Sequence, residues 1–266
     1  MNCLDLGDVA LHYADTGPRD APALVFANSL GTDFRLWDEV LPHLPAGLRV
    51  IRYDKRGHGL SSCPPAPYSM GALVHDAERL LEALGVRDCV FVGLSIGGMI
   101  AQGLAAKRLD LVRAVVLSNT APKIGTRAMW DERIAMVEAQ GLSAMSDAIM
   151  ERWFSRAFRD SPAVLPWRRM VEVTPAAGYA GCSAAIAGTD FYTPTAALRL
   201  PALVIAGSED GSTPPDLLRE LAELIPGARF ALLRGAGHLP CVEQPEAYAA
   251  LLNGFLADIG HLGRAP

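Results

Sequence analysis

The chain has 266 residues, half of them hydrophobic, with 24 basic and 29 acidic side chains and a net charge of −5. That length suits one large domain or a domain carrying an insertion, and the apolar content fills a sizeable core and excludes a disordered chain. The mild acidity gives no ground for a nucleic-acid partner. No apolar stretch is long enough to cross a bilayer, and Met1-Asn2-Cys3-Leu4-Asp5-Leu6 has an acid where a secretory leader wants a base, so a cytoplasmic protein without a membrane partner is expected. The five cysteines are odd in number and scattered, with no C-x-x-C pair, which predicts reduced thiols and no zinc site.

Taken in order, Val9–Tyr13 alternates like an edge strand and Asp15-Thr16-Gly17-Pro18 breaks it. Ala23–Ala27 is a continuous apolar run, the pattern of a strand covered on both faces, and it ends in Asn28-Ser29-Leu30-Gly31. A helix is predicted over Phe34–Leu44, a strand over Leu48–Tyr53, a turn over Asp54–Ser62 and a helix over Met70–Leu84. Val90–Val92 is again a buried strand, followed by a helix after Gly97 and a strand at Ala114–Ser118. From about Pro122 to Phe191 no strand pattern occurs, and helical patterns rich in Met and Trp are cut by Pro162, Pro166 and Pro175. The strand–helix rhythm resumes with strands at Pro201–Ala206 and Arg229–Leu233 and helices at Pro215–Leu224 and Pro245–Ile259. The expectation is an α/β fold, a mostly parallel sheet with helices on both faces. Residues 1–121 and 192–266 form its core and residues 122–191 an inserted helical lid over the carboxyl ends of the strands.

The chemistry centres on Gly93-Leu94-Ser95-Ile96-Gly97, a G-x-S-x-G nucleophile elbow between a strand and a helix. A serine nucleophile needs a base, and the base needs an acid to hold its tautomer. Of the six histidines only His238, in Gly235-Ala236-Gly237-His238, lies in a Gly-rich loop directly after a buried strand. The loop after the preceding strand supplies Asp210 as the acid, with Glu209 beside it as the lesser candidate. The order Ser95, Asp210, His238 is that of an α/β-hydrolase. The oxyanion hole is assigned to the main-chain N–H groups of Ile96 and Leu30. His58, in Arg56-Gly57-His58-Gly59, reads as a structural turn residue, and the absence of metal spacings, P-loop or G-x-G-x-x-G predicts no metal and no cofactor.

A narrower resemblance sits on Ser29-Leu30-Gly31-Thr32, Tyr53–Gly59, Gly93–Ile100, Arg152-Trp153-Phe154 and Thr174-Pro175-x-x-Gly178-Tyr179-x-x-Cys182. Together these pieces resemble the 3-oxoadipate enol-lactonases of aromatic-acid catabolism. The resemblance implies an α/β-hydrolase that opens 3-oxoadipate enol-lactone to 3-oxoadipate in the β-ketoadipate pathway through an acyl-enzyme. Two positions depart from the common pattern: Ile96, where that family more often shows Met, and Asn28-Ser29, where hydrolases often show His-Gly. The lactone carries a carboxylate, and desolvating it requires paired donors. Arg133 is the candidate among the lid arginines, with Trp130 or Trp153 packing the ring. The alternatives are a broad carboxylesterase or perhydrolase, a carbon–carbon bond hydrolase of the same fold, and a non-catalytic ligand receptor on a hydrolase scaffold.

Overall fold

A computed structural model of the chain describes residues 2–262. Four strands open it: β1 (Asn2–Asp5), β2 (Ala10–Thr16), β3 (Ala23–Ala27) and β4 (Arg49–Tyr53). Then come α1 (Met70–Ala83), β5 (Cys89–Leu94), α2 (Ile96–Lys107) and β6 (Val112–Ser118). Five helices follow in succession: α3 (Arg127–Gln140), α4 (Ser146–Trp153), α5 (Arg156–Arg159), α6 (Leu165–Val173) and α7 (Ala176–Ala187). The chain closes with α8 (Tyr192–Ala196), β7 (Ala202–Gly207), α9 (Pro215–Leu224), β8 (Arg229–Leu233), α10 (Pro240–Glu243) and α11 (Pro245–Asp258).

The strands form one eight-stranded sheet in the order β1-β2-β4-β3-β5-β6-β7-β8. β1 and β2 pair antiparallel, as do β2 and β4, and every other neighbour is parallel. Every residue of β3, β5 and β7 is buried, because these continuous apolar runs have helices on both faces. Ser69 starts α1 by accepting the Ala72 N–H, and Gly85, at φ +64°, follows its end.

The expected helix over Phe34–Leu44 is instead two 3₁₀ turns, Phe34–Trp37 and Leu41–His43. Pro42 has no N–H for a continuous helix, and the buried Trp37 is fixed by its Nε1–H bond to Asn28 Oδ1 at 2.9 Å. Strand β1 gave no readable pattern, because in its four residues only Leu4 is withdrawn from solvent.

Among the described residues 122–191 there is no strand, and the buried apolar core of the sheet continues into this segment through Trp130, Ile149, Trp153, Phe154 and Tyr179. The segment leaves after β6 and returns before β7, two strands that are paired neighbours. Its ends meet, since the Phe191 N–H donates to the Pro122 carbonyl at 3.0 Å. Among the described residues no helix is long and apolar enough to cross a membrane.

Candidate active site

Ser95 stands between β5 and α2 at φ +58°, ψ −118°, a conformation that costs a non-glycine residue about 1–3 kcal/mol and survives only where the surroundings enforce it. Here they do. Its N–H donates to Ser118 O at 3.0 Å, and its carbonyl accepts from the Gly98 and Met99 N–H groups and from Thr120 Oγ1 at 2.7 Å. The glycine spacing follows from the crossing: a Cβ on Gly93 would lie 2.2 Å from Gly97 O, and one on Gly97 would lie 2.2 Å from Ala27 O.

Asp210 follows β7 and His238 follows β8, and His238 Nδ1 bonds Asp210 Oδ2 at 2.8 Å with both residues buried. Four more donors converge on the carboxylate: the N–H groups of Ser212 (2.7 Å) and Thr213 (3.0 Å), Thr213 Oγ1 (2.7 Å) and Asn119 Nδ2 (2.8 Å). Burial opposes its ionisation, but the His238 charge and hydrogen bond, helped by Asn119 and Thr213, outweigh that and hold Asp210 below the usual carboxylate value. Glu209 is exposed and carries no part of this network. Asn119, which also donates to Gly237 O at 3.3 Å, was not anticipated, because a polar residue after a buried strand carries no sign of which loop it will reach.

The loop after β3 is pinned residue by residue. Asn28 Nδ2 donates to Tyr53 O and its Oδ1 accepts from Trp37, so the asparagine that departs from the common pattern ties the loop to β4 and to the first 3₁₀ turn. The Gly31 N–H donates to His58 Nε2 at 2.9 Å and the Thr32 N–H to Ser29 O at 3.3 Å. His58 therefore carries its proton on Nδ1, facing Arg56 O at 3.3 Å, and burial first, then the Lys55 charge, holds it well below the ordinary imidazole value. The N–H of Leu30, between Ser29 and Gly31, is left without an acceptor, and that of Ile96 opens α2 with no acceptor within the helix. Among the described residues neither finds a hydrogen-bond acceptor.

Ser95, His238 and Leu30 share one cavity with Trp130, Arg133, Arg152, Trp153 and Tyr179. The structure thus brings Ser95, His238, Trp130, Arg133 and Trp153 to one cavity, with Asp210 bonded to His238 outside its lining, and adds Arg152 and Tyr179. Arg133 lies over the Trp130 ring, 5.1 Å from its centroid, and its Nη1 is 3.5 Å from the Tyr179 hydroxyl. Burial, then the Arg133 charge, pulls Arg152 below the usual guanidinium value. Among the described residues neither arginine pairs with a carboxylate, so the cavity holds two uncompensated positive groups. Its volume is about 30 Å³, room for about two waters and roughly a tenth of the smallest usual ligand pocket.

Arg152-Trp153 also binds the Asp210 and His238 loops through its backbone. The Gly211 N–H donates to Arg152 O at 3.1 Å and the His238 N–H to Trp153 O at 2.7 Å. Glu243 adds a tie, accepting from the Gly237 N–H at 2.7 Å and from the Ser155 N–H at 3.2 Å.

The chain belongs to the α/β-hydrolase family: the family model matches residues 24–251. Within that family it is similar to 3-oxoadipate enol-lactonase 2 of Acinetobacter baylyi, 37% identical over 91% of each chain. Among solved structures it resembles the enol-lactonase from Burkholderia xenovorans LB400, 36% identical, with a TM-score of 0.92 over 96% of this chain and 100% of that one. A hydrolase from Pseudomonas aeruginosa is 39% identical with a TM-score of 0.92, covering 96% of this chain and 97% of its own. The resemblance drawn from the sequence motifs is therefore borne out, and the chain is an enzyme of the hydrolase class.

Proposed function

We propose that the protein opens 3-oxoadipate enol-lactone to 3-oxoadipate in the cytoplasm, as a step of the β-ketoadipate pathway, with Ser95, His238 and Asp210 as its catalytic triad. The observation that carries this reading is the combination, around one small cavity, of a strained serine, a histidine bonded to a buried aspartate and two guanidiniums without carboxylate partners among the described residues. The first three support acyl transfer, and the last two support an anionic substrate.

His238 Nε2 takes the Ser95 proton as Oγ bonds to the lactone carbonyl carbon, and the oxyanion is held by the Leu30 and Ile96 N–H groups. The ring C–O bond then breaks, and the enol oxygen receives the proton from His238. An enol leaves more readily than an alkoxide, so this step asks little of the acid. Water adds to the acyl-enzyme with His238 again as base, the Ser95–carbon bond breaks, Ser95 regains its proton, and the enol ketonises in the free product. Asp210 holds the imidazole with Nδ1 protonated and stabilises the imidazolium. Arg133 binds the substrate carboxylate, Arg152 lies in reach of the same anion, and Trp130 or Trp153 packs the ring. The helical segment 122–191 acts as a lid, which must swing or breathe to admit a lactone into so small a space.

The test is the disappearance of enzymatically generated lactone by ultraviolet absorbance, beside 4-nitrophenyl acetate, for wild type and Ser95→Ala. The expected result is a kcat/KM of about 10⁴ M⁻¹s⁻¹ or more for the lactone, far slower ester cleavage, and loss of both in Ser95→Ala. A favoured ester and an ignored lactone would leave the triad standing and remove the substrate.

A further inference from the structure

Lys55 lies in the turn after β4 and is 3% exposed, yet among the described residues it joins no salt bridge. Its ammonium spends its hydrogen bonds on two main-chain carbonyls, Ser29 O at 2.6 Å and Thr32 O at 3.2 Å. Burying a charge against carbonyls is costly, and a neutral donor would pin the loop at less expense. The Ser29 carbonyl also accepts from the Thr32 N–H and from Thr32 Oγ1 at 2.9 Å, so neutral donors share it with the lysine, whose 2.6 Å bond is the shortest of the three.

The geometry of the peptide unit supplies a use for the charge. Ser29 C=O and Leu30 N–H belong to one planar trans peptide and point in opposite directions. An ammonium on the oxygen aims the N–H away from Lys55 and draws electron density from the nitrogen toward the oxygen, which strengthens that N–H as a donor. We propose that Lys55 is a positioning residue of the oxyanion hole, its positive charge orienting and polarising the Ser29–Leu30 peptide whose N–H receives the developing negative charge. This rests on Ser95 being the nucleophile.

The groups facing Lys55 make the charge separable by pH. Asp54, its chain neighbour, is bonded to His12; Asp33, at the far end of the loop, is paired with Arg35. Cys182 of α7 is pushed up to about 12 by burial and stays neutral, as does His58. Arg56 beside it is locked to Asp76 and stays charged. Burial pushes Lys55 down to about 8 against the pull of Cys182, Asp54 and Asp33. Lys55 is thus charged below that value and neutral above it, and neutral lysine still donates a hydrogen bond. The peptide is then oriented but less polarised.

The experiment uses diethyl 4-nitrophenyl phosphate, a neutral probe to which the cavity arginines are indifferent. Ser95 Oγ bonds to phosphorus, 4-nitrophenolate leaves, and the serine proton passes through His238 to solvent; labelling is read by intact mass. Wild type, Lys55→Gln and Ser95→Ala are compared from about pH 7 to about pH 10. At neutral pH Lys55→Gln is expected to label about tenfold more slowly with its KI unchanged. Wild-type labelling is expected to fall to a lower plateau with a midpoint near about 8, and Lys55→Gln to lack that fall. Labelling of Lys55→Gln at the wild-type rate, a slower rate that comes through KI, or an alkaline fall that survives in the variant would overturn the proposal. So would a flat wild-type profile, which decides the matter alone should the variant not fold. No labelling of wild-type Ser95 at all would instead remove the serine-hydrolase reading.

Discussion

The main-chain N–H of His238 donates to the main-chain carbonyl of Trp153 at 2.7 Å, so the loop after β8 is bonded to the end of α4. The proposed base and a residue of the cavity wall therefore share a hydrogen bond that no side-chain substitution removes directly. Glu243 is the adjustable part of the same junction, because it gathers the Gly237 and Ser155 N–H groups and the Ser155 hydroxyl.

Glu243→Ala leaves those donors without their acceptor and is expected to destabilise the fold by about 1–3 kcal/mol. Because Gly237 precedes His238, the loss should fall on kcat more than on KM. Thermal unfolding and steady-state kinetics on the same preparation check both halves. An unchanged kcat would mean that the His238 loop holds its place without the tie.

Asp210→Asn keeps the size of the side chain but offers a donor where the carboxylate accepts from five groups. The expected cost is about 10⁴-fold in kcat with KM little changed, since the imidazole would be held in the wrong tautomer. The variant should still be labelled at Ser95 by a reactive organophosphonate, only slowly, and mass spectrometry of the labelled chain reads this.

Arg133→Met and Arg152→Met should each raise KM for the anionic lactone about ten- to hundredfold while leaving 4-nitrophenyl acetate cleavage nearly unchanged. The two should differ in stability. Arg152 is desolvated and beside a like charge, so its removal relieves a penalty and Tm should rise. A wild-type KM for the lactone in Arg133→Met would take the carboxylate away from that residue.

His58 sets an acid limit. It is buried and neutral in the fold, with a value well below the ordinary 6.5, while the unfolded chain titrates normally. Below about pH 6.5 the unfolded state therefore binds the extra proton, and stability is lost as pH falls through that region toward the folded value. Tm should drop from about pH 7 to about pH 5 in wild type and drop less steeply in His58→Gln. His261, also lowered by burial, leaves a residual slope of the same sign in that variant.

How much of this was legible in the sequence depends on whether the signal was local. β3, β5 and β7 could be read because an apolar run bounded by turn residues has few other uses in a chain of this composition. Where Ser95, Asp210 and His238 fall could be read because each follows its own strand, and the sheet order then brings the three loops together. Lys55 could not: in Asp54-Lys55-Arg56 it looks like one more solvated turn charge, and only the fold reveals that it is buried against Ser29. Asn119 was invisible for a similar reason, its partner lying ninety-one residues away in sequence. Nothing local separates Arg133 from Arg152 either: they lie on different helices, α3 and α4, and only the fold brings both to one cavity.

The meeting of Pro122 and Phe191 has a consequence for how such an enzyme changes over generations. The two cut points are already joined by a hydrogen bond, and β6 and β7 pair with each other irrespective of what is strung between them. A replacement helical insert therefore needs termini that meet, and the sheet register need not change with it. What the core demands in return is a carbonyl for each of the His238, Gly211 and Tyr68 N–H groups, donors for Glu243 where Ser155 now supplies them, and an apolar underside to continue the core. A roof that meets those terms can be traded in, which makes the sheet and its loops heritable separately from what covers them.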